Sequence, residues 1–215
     1  MPKIKADPAQ VVLIGDIVAS RETADRQGLH DRLTAVLDAV NAAGPVTDPA
    51  VVTLGDEFQG LYPTLGVALT ASFRIRAGLY PHDVRFGAGR GEANVLDRER
   101  GIHDGPAYWA ARDAIERAAK LADKAALRTT RTVFCSAEDD PGHVAAVNAA
   151  LLALDQVVGS LSVVSRRIVI ARMAGTTQRE IAAAEGITPS AVSQRVLGDG
   201  IGVALEAMRM LGGLT

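Results

Sequence analysis

The 215-residue chain has little of four features that would restrict its function: cysteine, aromatic residues, net charge and long apolar segments. A single cysteine, Cys135, excludes an intrachain disulfide and a zinc site built from several cysteines, and it fits a reducing cytoplasm. A net charge of −2 excludes a general affinity for polyanions, so contact with nucleic acid would need a local basic patch. No stretch approaches the roughly 18 apolar residues of a membrane span, and no signal-peptide core follows "MPKIKADPAQ". We expect a cytoplasmic protein with no membrane partner.

Short apolar runs and helical patterns alternate along the first three quarters of the sequence. In order, they predict a strand, a helix, two strands joined by a turn, a helix, a strand, and then a helix, a strand and a helix. The predicted segments are residues 11–14, 24–43, 51–54, 58–62, 65–79, 83–93, 104–124, 131–137 and 142–154. Asp104 is the predicted N-cap of the helix at 104–124, with Pro106 in its first turn.

This order predicts an α/β (α+β) fold of the ferredoxin-like βαββαβ type, with a sheet covered mainly on one face. From about residue 160 onward no strand pattern appears and the sequence is helical throughout. We therefore predict a sheet domain over residues 9–159 and an all-helical module over residues 160–215.

The sequence presents Gly-Asp twice, each time at the end of an apolar run, in "VVLIGDIVASR" and "VVTLGDEFQGLY". Taken alone, Asp16 could cap a turn or helix, and Asp56 could be an ordinary hairpin-turn residue. Together they indicate more, because a right-handed βαβ crossover brings the first strand and the hairpin side by side. Two converging carboxylates repel each other unless a cation lies between them. Mg²⁺ or Mn²⁺ would take such ligands and leave its other positions to phosphates.

These segments resemble the metal-binding strand and hairpin of class III nucleotide cyclases, and "GDEF" is similar to the related diguanylate cyclases. "VRFGAGRGEA" followed by "DGPAYWAAR" resembles the glycine-rich strand of the cyclases and the helix after it. A narrower resemblance, to the SatD family, rests on "GDIVASR", "TLGDEFQGL" and "DGPAYWAAR". It implies a cyclase-like palm domain followed by a helix-turn-helix.

The resemblance implies a metal site formed by Asp16, Asp56 and the carbonyl of Ile17. It also implies a site for a nucleotide or other phosphorylated small molecule, with these residues: Ser20, Arg21, Gly55, Glu57, Gly89, Trp109 and Arg112. Three of these have an ordinary alternative. Gly89, in the series Gly87-Gly89-Gly91, could serve helix-on-sheet packing, Glu57 could be a solvated hairpin carboxylate, and Trp109 could pack in the core rather than stack on a base.

The sequence departs from the cyclase pattern at three positions. Val52 replaces the purine-selecting lysine, Trp109 the transition-state asparagine, and Asp113 the arginine four residues later. Arg112 immediately precedes Asp113, so its side chain points about 100° away from that position around the helix. Because such groups stabilise charge on the phosphates in the transition state, ordinary cyclisation of ATP or GTP is not expected. Nucleotide binding, or a different phosphoryl transfer, survives this objection.

The segment "VSRRIVIARMAGTTQREIAAAEGITPSAVSQRV" predicts a helix-turn-helix. Thr177 and Glu180 form a capping box, and Thr188 and Pro189 begin the predicted recognition helix. Five Arg against two Glu make this segment locally basic. The candidate DNA-binding residues are Arg179, Ser190, Ser193, Gln194 and Arg195. A helix-turn-helix used only for protein contacts is the alternative.

Three functions therefore stay open. The leading one is a homodimeric transcriptional regulator that binds metal, nucleotide and DNA. The second is a cyclase-like enzyme that performs two-metal phosphoryl or nucleotidyl transfer. The third is a scaffold that keeps the fold without the chemistry.

Overall fold

The computed structural model describes residues 9–97 and 102–215. The strands are β1 (Gln10–Ile17), β2 (Asp48–Leu54), β3 (Glu57–Tyr62), β4 (Val84–Gly91), β5 (Asn94–Asp97), β6 (Ile102–Asp104) and β7 (Thr132–Ser136). The helices are α1 (Arg26–Ala42), α2 (Leu65–Leu79), α3 (Pro106–Ala122), α4 (Pro141–Ser160), α5 (Val163–Met173), α6 (Gln178–Glu185), α7 (Pro189–Gly198) and α8 (Ile201–Leu211). Two short 3-10 turns cover Ser20–Glu22 and Ala125–Leu127. The predicted α/β character is confirmed.

Five strands form one mixed sheet in the order β2-β3-β1-β4-β7. The central strand β1 is antiparallel to both β3 and β4, and only the β4–β7 pair is parallel. Strand β1 runs to Ile17, so Asp16 lies inside the paired strand, opposite Arg85, and not in the turn after it.

The hairpin of β5 and β6 was not predicted, and it moves the start of the next helix. Asp104 belongs to β6 and pairs in register with Asn94. The predicted N-cap at Asp104 is therefore wrong. Gly105 is the N-cap instead, with a φ of 129° that an L residue rarely adopts, and Pro106 begins α3 as expected.

Helices lie on both faces of the sheet, and most of them lie on one face, in line with the predicted sheet covered mainly on one face. The larger core lies under α1, α2 and α4, where Leu13 and Phe134 of the strands meet Leu33 and Leu69. On the opposite face α3 packs alone, over Val12 and Ile14 of β1. Because α3 lies mainly against β1, β4 and β7, the β2 end of that face is less covered, and Val51 and Leu54 there are exposed.

The four C-terminal helices have a core of their own and also dock on the sheet body. Ile168, Ile181 and Val192 form the centre of the separate cluster. On α8, Ala204 and Leu211 join the main core. Beyond α8, the Gly66 amide donates to the Leu214 carbonyl at 2.9 Å. These helices are therefore not a free tail.

By length and composition, α4 is the one helix of the described residues that could cross a membrane, with a mean hydropathy of 1.3. The expectation that no segment is long and apolar enough to span a membrane is therefore wrong, by length and composition, for α4. In the fold, however, Leu151 and Leu154 of α4 join the main core. Its fully buried Asp155 pairs with Arg76 at 2.6 Å. These contacts make α4 part of the folded body, and cytoplasmic location stays a prediction.

On each edge strand of the main sheet, an asparagine side chain binds the outward amide and carbonyl of one residue. Asn41 of α1 accepts from the Ala50 amide and donates to the Ala50 carbonyl, at 2.9 Å in each case, on edge strand β2. Asn148 of α4 does the same for Phe134 on edge strand β7, at 2.9 and 2.8 Å. An unpaired edge strand invites pairing with another chain, so these amides act as substitutes for a neighbouring strand.

Replacement of Asn148 by Ala should leave the outward amide and carbonyl of Phe134 without protein partners. We expect a loss of about 1–3 kcal/mol in the free energy of unfolding, because a part-buried polar group then lacks its hydrogen bond. Urea denaturation measures it. The matched control is Gln156→Ala on the same helix, since Gln156 is exposed and its side chain accepts a hydrogen bond from the hydroxyl of Thr129. Equal effects from the two substitutions would contradict this role of Asn148.

Candidate functional site

The turn between β2 and β3 is fastened to the end of β1 by a carboxylate. Asp56 Oδ2 accepts a hydrogen bond from the Ile17 amide at 3.1 Å, across 39 residues of sequence. Gly55, the other turn residue, has a φ of 65°, which favours glycine. The turn therefore brings the Asp56 carboxylate to the backbone next to Asp16, as the crossover argument predicts.

Asp16 has one engaged and one free carboxylate oxygen. Its Oδ2 accepts from Arg85 Nη1 at 3.2 Å, whereas its Oδ1 is buried and has no hydrogen-bond partner in the part of the chain that the structure describes. Burial raises the pKa of Asp16, Arg85 opposes that rise, and the negative charges of Asp56 and Glu57 add to it. A buried oxygen in this position would be stabilised by a cation.

Glu57 forms a bidentate ion pair with Arg112 of α3. Both oxygen–nitrogen distances are 2.7 Å, and these hydrogen bonds lower the pKa of Glu57. The alternative of a solvated hairpin carboxylate is therefore wrong. Arg112, although one position away from the cyclase arginine, points toward β3 and acts electrostatically on Asp16 as well.

Within residues 9–97 and 102–215, no three His, Cys, Asp or Glu side chains form a group able to hold a metal. The predicted metal site thus depends on Asp16 and Asp56, with the Ile17 carbonyl as the third candidate. Carboxylate and carbonyl oxygens are the ligands that Mg²⁺ and Mn²⁺ prefer. This donor set fits a divalent cation because the Oδ1 of Asp16 is buried and has no partner among the described residues.

Ser20 and Gly55 line a small cavity together with Asp56, beside the first turns of α1 and the end of β1. Ser20 is buried and Arg21 is exposed, both in the 3-10 turn that follows Ala19. Sequence reasoning missed two further lining residues, Arg26 and His30 of α1.

The glycine series of β4 is explained by packing. A Cβ on Gly89 would lie 2.1 Å from the Ala111 nitrogen, and one on Gly87 would lie 2.3 Å from the Ala111 carbonyl oxygen. Helix α3 therefore lies directly on the glycines, and this face is closed to a ligand. We correct the assignment of Gly89 to a nucleotide site: its role is to let α3 approach β4.

The start of α3 carries a polar cluster that the sequence did not predict. His103 Nε2 lies 3.1 Å from Asp48 Oδ2, and His103 Nδ1 lies 2.5 Å from the Tyr108 hydroxyl. Burial, with the nearby charge of Asp48, raises the pKa of Tyr108 to about 12. Next to it, Trp109 is 60% exposed, and its indole N–H donates to Asp104 at 2.8 Å. Trp109 is thus not a core residue, and its exposed ring remains available for stacking.

Helices α6 and α7 begin as the sequence predicts. Thr177 and Glu180 form the capping box, Thr188 caps α7, and Pro189 is its first residue. Gly186 between the helices has a φ of 64°. Glu185, where an apolar residue is common, forms an ion pair with Arg167 of α5 at 2.5 Å.

The five candidate DNA-binding residues divide into two groups. Arg179, Ser190 and Gln194 are exposed. Ser193 instead accepts a hydrogen bond from Gln178 at 2.8 Å, and Arg195 donates to Ser165 at 3.3 Å. Ser193 and Arg195 therefore help to hold the helices together, and only the first group faces solvent freely.

The fold and site together define a mixed α/β protein with an acidic strand-end site and a C-terminal group of helices. The chain belongs to the SatD family, whose model matches residues 10–211. No curated protein matches the chain. Among solved structures, a bacterial light-regulated adenylyl cyclase is similar over 53% of this chain and 41% of its own, with 15% identity and a TM-score of 0.42. The chain thus spans less than half the length of that structure.

Substitution of Gly89 by Ala should destabilise the fold by about 3 kcal/mol or more, because the added methyl group meets the backbone of α3 and not a movable side chain. Chemical denaturation followed by circular dichroism measures it.

The control is Gly198→Ala in α7, where an added Cβ has no neighbour within 4 Å. That change should be neutral or should stabilise by up to about 1 kcal/mol. A Gly89→Ala protein of unchanged stability would show that α3 does not press on β4.

Proposed function

We propose that this SatD-family protein is a metal- and nucleotide-binding, DNA-binding transcriptional regulator. The observation that carries the proposal is the buried, unpartnered Oδ1 of Asp16 beside the Asp56 turn. The ligand would be a nucleotide or another phosphorylated small molecule held with Mg²⁺ or Mn²⁺.

The surroundings of the two aspartates support an anionic ligand. Arg112 and Arg85 bring positive charge close to Asp16, and Ser20 lines the cavity beside Asp56. A divalent ion, when bound, would supply the charge that neutralises phosphate oxygens. Asp16 and Asp56 would hold that ion, Arg112 would pair with phosphate in place of Glu57, and the exposed ring of Trp109 would stack on a base.

We also propose a ferredoxin-like core for the first domain, and the strand order β2-β3-β1-β4 supports it. The less covered end of the α3 face supports a homodimer. Val51 and Leu54, opposite Gln59 and Glu57 in register, are 55% and 80% exposed. Apolar side chains exposed together favour contact with another protein surface.

For DNA, the support comes from α6, the turn at Gly186 and α7, which we propose to be a helix-turn-helix. Ser190 and Gln194 offer hydrogen-bonding groups to base edges, and Arg179 offers a charge to phosphate. Internal ion pairs reduce the local positive charge, since Arg167 is bound to Glu185.

A second candidate function is phosphoryl or nucleotidyl transfer, favoured by one observation. Arg112 lies close enough to act electrostatically on Asp16. A guanidinium is therefore present near the aspartates, although Asp113 stands in place of the cyclase arginine. Such a group could stabilise charge on a phosphate during transfer. Trp109 and Val52 still replace the other two cyclase groups.

The double substitution Asp16→Asn and Asp56→Asn should abolish Mn²⁺-dependent binding of fluorescent ATP and GTP analogues. We expect no difference in affinity with and without Mn²⁺ in this variant, because both charged ligands of the ion are lost. Fluorescence anisotropy with and without EDTA measures this, and mass spectrometry of ATP or GTP incubated with Mn²⁺ detects any product.

Asp113→Asn is the control, since Asp113 is an exposed carboxylate on α3. New product that disappears in the double variant would favour the enzyme, and binding without product would favour the regulator. Nucleotide binding that is equal in the wild type and the double variant would refute the proposed site and leave the scaffold.

Arg179→Ala should weaken DNA binding uniformly across sequences and lower the slope of log affinity against log salt by about one. Gln194→Ala should instead cost about 1–3 kcal/mol at preferred sites only, because a base contact is lost. Anisotropy titrations against genomic fragments at several salt concentrations measure both.

Arg209→Ala provides the control, since this exposed arginine lies on α8 and pairs with Glu206. If Arg209→Ala lowered DNA affinity as much as Arg179→Ala, the effect of both would be due to the net charge of the protein alone. If no genomic fragment is preferred over random DNA, the helices serve protein contacts.

A further inference from the structure

A second cavity lies between the C-terminal end of α1, α2 and the end of α8, and it shares no lining residue with the cavity beside Asp56. Its walls are mostly apolar, with Val40, Val46, Val67 and Ala71 among them, and Gly212 closes it on the side of α8. Its volume is about 150 Å³, close to that of an engineered cavity that admits benzene.

Tyr62 lines this cavity and has an unused hydrogen-bonding group. The residue is 1% exposed, and its hydroxyl has no hydrogen-bond partner among the described residues. The hydroxyl oxygen exposes less than 1 Å² of surface, so an acceptor atom in the cavity reaches it only when the Tyr62 ring shifts. That hydrogen bond would be favourable, because a buried hydroxyl without a partner is destabilising. Thr70 provides a second hydroxyl in the lining.

The charge at this cavity is positive. Arg74 donates to the Ala43 carbonyl at 3.1 Å and extends past Gly44. The lining residues include no Asp or Glu, so the Arg74 charge is not neutralised by a neighbouring acid in the wall. An occupant would therefore need an apolar body, a hydrogen-bond acceptor and one negative charge.

We propose that this cavity binds a small monocarboxylate with a compact apolar body, about the size of benzoate. One carboxylate oxygen pairs with Arg74, the other accepts the hydrogen bond of Tyr62, and the apolar body fills the space between the valines. Because Gly212 belongs to the wall, the occupant contacts the C-terminal end of the chain together with α2. The site is separate from the aspartates, and its test does not depend on metal, nucleotide or DNA.

The test uses the full chain with three probes of one shape: benzoate, benzamide and benzylamine. Saturation-transfer NMR and thermal denaturation should both show saturable binding of benzoate, weaker binding of benzamide, and no binding of benzylamine. Arg74→Gln should remove the preference for benzoate over benzamide. Tyr62→Phe should weaken benzoate roughly five- to twentyfold, because one buried hydrogen bond is lost.

Two further variants protect the test against misfolding. Gly44→Leu places a large side chain at the opening of the cavity and should block benzoate. The fold should be kept, because Gly44 is exposed and its φ is not positive. Lys120→Gln removes one positive charge from α3, on the other face of the sheet, and should change nothing. The proposal is overturned if benzoate shows no saturable binding up to about 20 mM, if all three probes respond alike, or if Gly44→Leu leaves benzoate binding unchanged.

Discussion

The candidate site depends on one hydrogen bond, from the Ile17 amide to the carboxylate of Asp56. Asp56 lies outside the paired register of β2 and β3, so the sheet alone does not fix its position. The positive φ of Gly55 directs the turn, and the bond to Ile17 then holds it against β1. The proximity of the two aspartates is therefore set by a side chain–backbone contact in a turn. Any chemistry that needs both carboxylates depends on that contact.

The two carboxylates nearest this contact, those of Asp16 and Glu57, lie in opposite electrostatic environments. Asp16 is partly desolvated and its pKa is raised, whereas Glu57 is bound to Arg112 and its pKa is lowered. The Glu57–Arg112 pair is partly exposed, with 28% and 44% of the side chains accessible, but its bidentate geometry makes it stronger than an ordinary surface pair. A phosphate can also bind a guanidinium through two oxygens, so it could take the place of the Glu57 carboxylate on Arg112. The free oxygen of Asp16 and the guanidinium of Arg112 together favour a ligand that carries both a cation and an anion.

The sequence predicts the parts of this site that follow from local rules. The aspartates follow apolar strands, and the crossover rule places those strands in one sheet. The role of Glu57 and the approach of Arg85 could not be predicted, because both depend on which strands pair and where α3 lies across them. Asp104 shows the same limit. Aspartate is a favoured N-cap residue, but Asp104 pairs with Asn94 in the β5–β6 hairpin instead. The glycines of β4 fit either a ligand or a helix, and only the position of α3 decides between them.

The docking of α8 restricts how the two ends of the chain could communicate. Ala204 and Leu211 are part of the main core, and the Gly66 amide binds the Leu214 carbonyl. A hinge between the sheet body and α5–α8 would have to expose this apolar surface, which is costly. We therefore expect a ligand at the aspartates to act without separating the two parts of one chain. A change in how two copies meet, at the less covered end of the α3 face, requires no such exposure, and a ligand would favour whichever arrangement binds it better.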